Sequence, residues 1–282
     1  MILLLLAIIS SFTIGILIKI NELKGAETRV VLAANYIIAS IIGWIFVIYT
    51  GSISISTSTF LIGGIGGVLW PVMFFSLMWG VRIFGLSIVG SVIRISLIIP
   101  VMFAVVFLSE TLSVFVILGI IGTFLAFYLL RKPAPDTKTD KRAFWFFPLI
   151  VIGFGITDLW VNIFNNYGVE SEKFLFMVLI FTFSAVITLA VNFLQKIKSD
   201  KGSVMRGVIL GIPNFFSTFF LMESLKTAEF VKDSAAAYTI YAAFGVFLAF
   251  SAGAVFWKER VTVFNVLGAA AAICAIILLN FG

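Results

Sequence analysis

Ser109–Gly119 reads SETLSVFVILG, and Lys258–Gly268 reads KERVTVFNVLG. At an offset of 149 residues they pair Glu110 with Glu259, Val114 with Val263, Phe115 with Phe264, Leu118 with Leu267 and Gly119 with Gly268. Five identities within ten positions, each time at the opening of an apolar run, mark an internal repeat. A second alignment, at an offset of 144, sets Gly63, Gly67, Phe75, Leu77 and Met78 against Gly207, Gly211, Phe219, Leu221 and Met222. The chain therefore reads as two related halves, 1–130 and 144–282, joined by the basic linker 131–143. Within RKPAPDTKTDKR, two prolines and seven charges interrupt two long apolar stretches.

The runs themselves are too apolar for water. Of the 282 residues, 62% are hydrophobic and 11% charged, where soluble domains carry about 45–50% apolar and about 25% charged residues. A helix needs about 20 apolar residues to cross a bilayer. Reading between charged or turn-rich breaks places spans at 2–20, 30–49, 60–80, 86–107, 112–130, 144–165, 174–194, 207–225, 234–256 and 262–281. The fold expected is an all-α integral membrane protein of ten transmembrane helices, arranged as two inverted five-helix repeats. An odd number of spans per half turns the second copy upside down in the membrane, the plan of secondary transporters with a substrate site near the midplane. MILLLLAIISSFTIGIL lacks the basic start and small-x-small end of a cleaved signal and is expected to remain as the first span.

The net charge of +6 comes from Lys and Arg scattered over connections, so no nucleic-acid face is expected. Fifteen of them fall on connections 1–2, 3–4, 5–6, 7–8 and 9–10, against three on the other side. The basic side is cytoplasmic by the positive-inside rule, which leaves both termini extracytoplasmic in the cell (plasma or inner) membrane. One cysteine, Cys274, cannot form an internal disulfide. The absence of His removes the commonest metal ligand and neutral-pH base. No catalytic group, metal or cofactor is expected, and the chain does not read as an enzyme.

The turn motifs and the repeat together resemble the drug/metabolite transporter superfamily with its EamA-type unit. Each five-span unit of that family tends to carry a "gErlt" turn between its last two spans, followed by a helix with a glycine about nine residues on. SETLS with Gly119 and KERVT with Gly268 match it, and the two units cover nearly the whole chain. The resemblance implies a carrier whose cavity is lined by the first four spans of each half, with spans 5 and 10 at the edge, where a homodimer contact is expected.

Ionisable groups at membrane depth are costly and default to functional sites with a named partner. Arg94 lies about eight residues into span 4 and Asp158 about fourteen into span 6, both counted from the basic side; at 1.5 Å per residue they differ by roughly 9 Å in depth. They are read either as an ion pair joining the halves or as cavity groups, Arg94 for a carboxylate or phosphate and Asp158 for an ammonium or a coupling proton. Asn162 and Asn165 share a face with Asp158 at i+4 and i+7, Ser87 and Ser91 with Arg94, and Ser234, Tyr238 and Tyr241 with Gly245. Gly211, Asn214 and Thr218 form a fourth stripe; Asn35, Tyr36 and Trp70 are isolated candidates. Such stripes serve either as interhelical glue or as cavity walls. Glu110 and Glu259 are read as structural, a carboxylate meeting a helix N-terminus.

The function expected is export of a small polar or zwitterionic metabolite, such as an amino acid, by alternating access through a central cavity between the repeats. The partners are the small-molecule substrate and membrane lipid. The alternatives are an exporter of apolar cations or drugs, and a non-transporting membrane scaffold.

Overall fold

The computed structural model describes residues 1–50, 54–97, 99, 103, 113–130, 141–224, 226, 227 and 234–280. Among these, regular structure is entirely helical. The helices are α1 (Ile2–Leu23), α2 (Thr28–Thr50), α3 (Thr57–Phe84) and α4 (Leu86–Arg94), which runs into a 3₁₀ turn at Ile95–Leu97. They continue as α5 (Val114–Leu130), α6 (Lys141–Tyr167), α7 (Lys173–Leu194), α8 (Lys201–Ser224), α9 (Ser234–Phe256) and α10 (Val263–Asn280). Five of them, α1, α2, α3, α7 and α8, are long and apolar enough to cross a membrane. The SETLS turn with Glu110, Pro100 and most of the basic linker lie outside the described residues.

Local polar chemistry sets several helix starts. The apolar run predicts a span that opens at residue 207, yet α8 starts at Lys201. Asp200 supplies the cap: its Oδ1 accepts the backbone N–H of Ser203 at 2.8 Å, satisfying one of the orphan donors of the first turn. Ser56 does the same for α3, its Oγ accepting the N–H of Thr59 at 3.3 Å. The KERVT stretch ends in a reciprocal cap, with Thr262 Oγ accepting from the N–H of Asn265 at 3.1 Å and Asn265 Oδ1 accepting from the N–H of Thr262 at 2.9 Å. Pro71, Pro148 and Pro213 all sit inside continuous helices, as proline in membrane helices is tolerated to do.

The described chain forms two compact units that do not follow the halves. One comprises Met1–Ile8, Gly80–Asp158 and Leu221–Gly282; the other comprises Ile9–Trp79 and Leu159–Phe220. Each draws on both halves because helices pack on helices from the opposite half.

In the first unit α5 lies along α10, and α4 along α9. Asn265 donates its Nδ2 to the carbonyl of Leu130 at 3.1 Å, closing the C-terminal end of α5, while a Cβ on Gly122 would stand 3.2 Å from that of Ala275.

In the second unit α2 lies along α7. Gly63 and Gly67 bring α3 against Leu179 and Phe183 of α7, and Gly207 and Gly211 bring α8 against the backbone of Val31 and Asn35 on α2. A Cβ on Gly211 would lie 2.5 Å from the Asn35 carbonyl oxygen, so only glycine permits that approach. Thr182 Oγ1 accepts from Trp44 Nε1 at 2.9 Å, tying α7 to α2 a second time.

Large apolar side chains line the outside of both units. Ile48, Phe124 and Val263 are 68%, 67% and 74% exposed, an inversion of the usual inside-outside rule that fits a hydrocarbon solvent.

Candidate functional site

The first unit gathers three of the charged and aromatic candidates. Arg94 ends α4, and its Cζ stands 4.6 Å from the centroid of the Tyr241 ring on α9, within cation–π range. One turn further along α9, Gly245 sits beneath the same guanidinium: a Cβ there would fall 2.7 Å from Nε and 2.9 Å from Nη2. Leu4 and Ile8 of α1 and Ala237 form the apolar backing against which Tyr241 packs.

Asp158, on α6, accepts a hydrogen bond from Ser96 Oγ to its Oδ2 at 2.9 Å. The helical stripe of the sequence does not include Ser96. It lies two residues past Arg94, off the i, i+4, i+7 stripe, and reaches Asp158 because the backbone tightens to 3₁₀ geometry at Ile95–Leu97. No periodicity in the sequence signals that turn.

Ser91 is fully buried and donates its hydroxyl to the carbonyl of Ser87 at 2.8 Å, while Ser87 Oγ donates to the carbonyl of Phe250 at 3.2 Å. This face of α4 is thus turned to α9. The side chains of Asn162, Asn165 and Tyr238 lie outside the described residues, although their backbones continue α6 and α9.

Asn214 and Trp70 belong to the second unit. Asn214 Nδ2 donates to Asn35 Oδ1 at 3.1 Å, joining α8 to α2. Asn35 Nδ2 and the Tyr36 hydroxyl are buried without a hydrogen-bond partner among the described residues. Trp70 packs against a cluster of Phe164, Phe176 and Ile180, where Phe164 and Phe176 stack at 4.0 Å, and the neighbouring Trp160 donates Nε1 to the Ile62 carbonyl at 2.8 Å.

Glu259 holds α4 in place. Its Oε1 accepts the N–H of Leu86 at 2.8 Å and its Oε2 that of Ser87 at 3.0 Å. The carboxylate meets a helix N-terminus as expected, but that of α4, not of the helix its own motif opens. Two glycines make the room. Gly85 has φ +85°, and a Cβ there would lie 2.7 Å from the carboxylate; a Cβ on Gly253 would collide with Ser87 Oγ. The KERVT turn therefore fixes the start of the helix that ends in Arg94.

Glu172, in the turn before α7, accepts from the Ser56 backbone N–H at 3.0 Å and from Ser56 Oγ at 2.6 Å. The Ser56 and Thr59 hydroxyls hold its carboxyl below the usual glutamate range. The repeat offset carries Ser56 and Thr59 onto Asp200 and Ser203, and there the backbone N–H of Glu27 donates to Ser203 Oγ at 2.9 Å. The start of α3 is thus joined to that of α7 through a carboxylate, and the start of α8 to that of α2 through a hydroxyl. No group of three or more His, Cys, Asp or Glu suited to a metal ion occurs among the described residues.

No protein-family model matches the chain. It is 25% identical over 287 residues to an uncharacterised protein of Haemophilus influenzae, covering 99% of this chain and 97% of that protein. A protein known from a crystal structure shares the fold, with a TM-score of 0.66 at 14% identity over 99% of this chain and 96% of its own.

Proposed function

We propose that the protein is a membrane carrier of the drug/metabolite transporter type, with ten spans in two inverted repeats, that moves a small zwitterionic metabolite by alternating access. The observation that carries this reading is the grouping of Arg94, Tyr241, Ser96 and Asp158, drawn from α4, α6 and α9 and therefore from both halves. A guanidinium suits a carboxylate and a carboxylate suits an ammonium, so opposite charges about one cargo match an amino acid or a compound like it.

Supporting the inverted repeat is the exchange of partners between equivalent helices. Gly63 and Gly67 pack on α7, whereas their repeat counterparts Gly207 and Gly211 pack on α2. Helix 3 of one half meets helix 2 of the other, and the converse holds. A two-fold relation between the halves gives that reciprocity; unrelated helices have no reason to. The exposed apolar faces and the five long apolar helices support the membrane setting.

The test is uptake and counterflow in proteoliposomes against a panel of labelled amino acids and apolar cations. Zwitterion flux that Arg94→Met abolishes is the expected result, while flux of apolar cations alone removes the zwitterion reading. Asp158→Asn is expected to abolish the response to a pH gradient and to leave counterflow measurable. If Asp158 is instead a permanent brace for Arg94, the same change costs about 3–5 kcal/mol of stability, as when one partner of a buried pair is removed.

A further inference from the structure

We propose that Gly245 is a positioning residue that sets where the Arg94 guanidinium stands, and through it the cargo the site accepts. The inference rests on the reading of Arg94 as a cargo ligand. Tyr241 and Gly245 lie four residues apart on α9 and so present one face. The Tyr241 ring meets the guanidinium with 4.6 Å between Cζ and the ring centre, and Gly245 offers bare backbone beside Nε, Nη2 and Cζ. Any side chain at 245 places its Cβ 2.7 Å from Nε, 2.9 Å from Nη2 and 3.0 Å from Cζ, inside contact distance of all three.

What such a Cβ meets is the far end of a long, flexible side chain. The guanidinium moves off the Tyr241 ring while the packing of α4 on α9 persists, since that packing rests on Ser87, Phe250, Gly90 and Ala249 nearer the start of α4. Substitution at 245 therefore relocates one charge without removing it. A planar fork that recognises a carboxylate through two parallel hydrogen bonds is sensitive to such a shift, because bidentate geometry is lost with small displacements.

The experiment compares the full-length wild type, Gly245→Ala, Arg94→Lys and the double variant in detergent and in proteoliposomes. The first arm needs no cargo: the rate at which phenylglyoxal modifies Arg94 is followed by mass spectrometry, with Arg29 as internal reference. A severalfold change in Gly245→Ala at an unchanged melting temperature is expected, and an unchanged rate overturns the proposal. The second arm measures the KM and maximal rate for the labelled amino-acid panel. Gly245→Ala is expected to raise KM tenfold or more, with a smaller effect on maximal rate, and to add little to the loss in Arg94→Lys. Additive losses, or wild-type kinetics in Gly245→Ala, overturn the proposal. If Arg94 reactivity shifts but no amino acid is moved by the wild type, the seat stands and the zwitterion reading falls.

Discussion

Glu259 and Leu86 are 173 residues apart in the chain, and the carboxylate of the first accepts the backbone N–H of the second at 2.8 Å. With the N–H of Ser87 on the other oxygen at 3.0 Å, one side chain satisfies two of the four donors that α4 leaves unpaired. The residue that looks like part of a sequence motif at the start of α10 is in physical terms the cap of α4.

Removing that cap leaves two part-buried donors without their acceptor. Glu259→Ala is expected to lower stability by about 2–3 kcal/mol, since hydrogen bonds to charged groups contribute about 1.5–3 kcal/mol. Glu259→Gln, which keeps an acceptor oxygen, is expected to lose about half of that. Thermal unfolding of the purified variants in detergent measures the difference, and equal melting temperatures for wild type and Glu259→Ala exclude the cap.

Close approach of α3 to α7 depends on one glycine more than on its neighbour. A Cβ on Gly67 collides with the Cβ of Phe183, whereas one on Gly64 meets only the ring of Phe183 at an ordinary 3.5 Å. Gly67→Ala is expected to cost about 1–3 kcal/mol through overpacking. Gly64→Ala is expected to be neutral or to add up to about 1 kcal/mol of stability, since alanine is the better helix former and the contact is an ordinary one. Melting curves of the two variants side by side decide it.

The tie between Glu172 and Ser56 carries a pH dependence of fixed sign. The folded protein holds the Glu172 carboxyl below its ordinary value of 4.5, first through the Ser56 hydroxyl and then through that of Thr59. A depressed folded pKa contributes stability that is present above the unfolded value and is lost as pH falls through the folded one. Wild type and Glu172→Gln are therefore expected to differ in melting temperature at pH 7 and to converge below pH 4.5. A difference that grows on acidification contradicts this assignment.

The fifteen basic residues on one set of connections predict that this side faces the cytoplasm. In a Cys274→Ser background, a cysteine at Ser54 is expected to react with an impermeant maleimide in intact cells, and one at Asp136 only after lysis. The reverse pattern inverts the topology and leaves the helices as they are.

Apolar periodicity and length located the helices, because a run of about 20 apolar residues has few alternatives to a helix in or near a bilayer. The likeness of SETLSVFVILG to KERVTVFNVLG lies in the sequence itself, and Arg94 and Asp158 stand out there because charge inside such a run is costly. Helix starts depart from the apolar pattern where a polar cap such as Asp200 precedes the apolar run, since hydropathy does not register a side chain bonding to backbone N–H groups. The partners of Glu259, the role of Ser96 and the place of Gly245 beneath Arg94 were decided only in three dimensions. Each depends on which helix docks against which, and on a 3₁₀ turn that rotates one face by a fraction of a turn. A sequence pattern carries the spacing of residues along one helix; the groups that meet across 62 or 173 residues are set by the packing of α4 against α9, by the 3₁₀ turn that follows α4 and by the turn that follows α9.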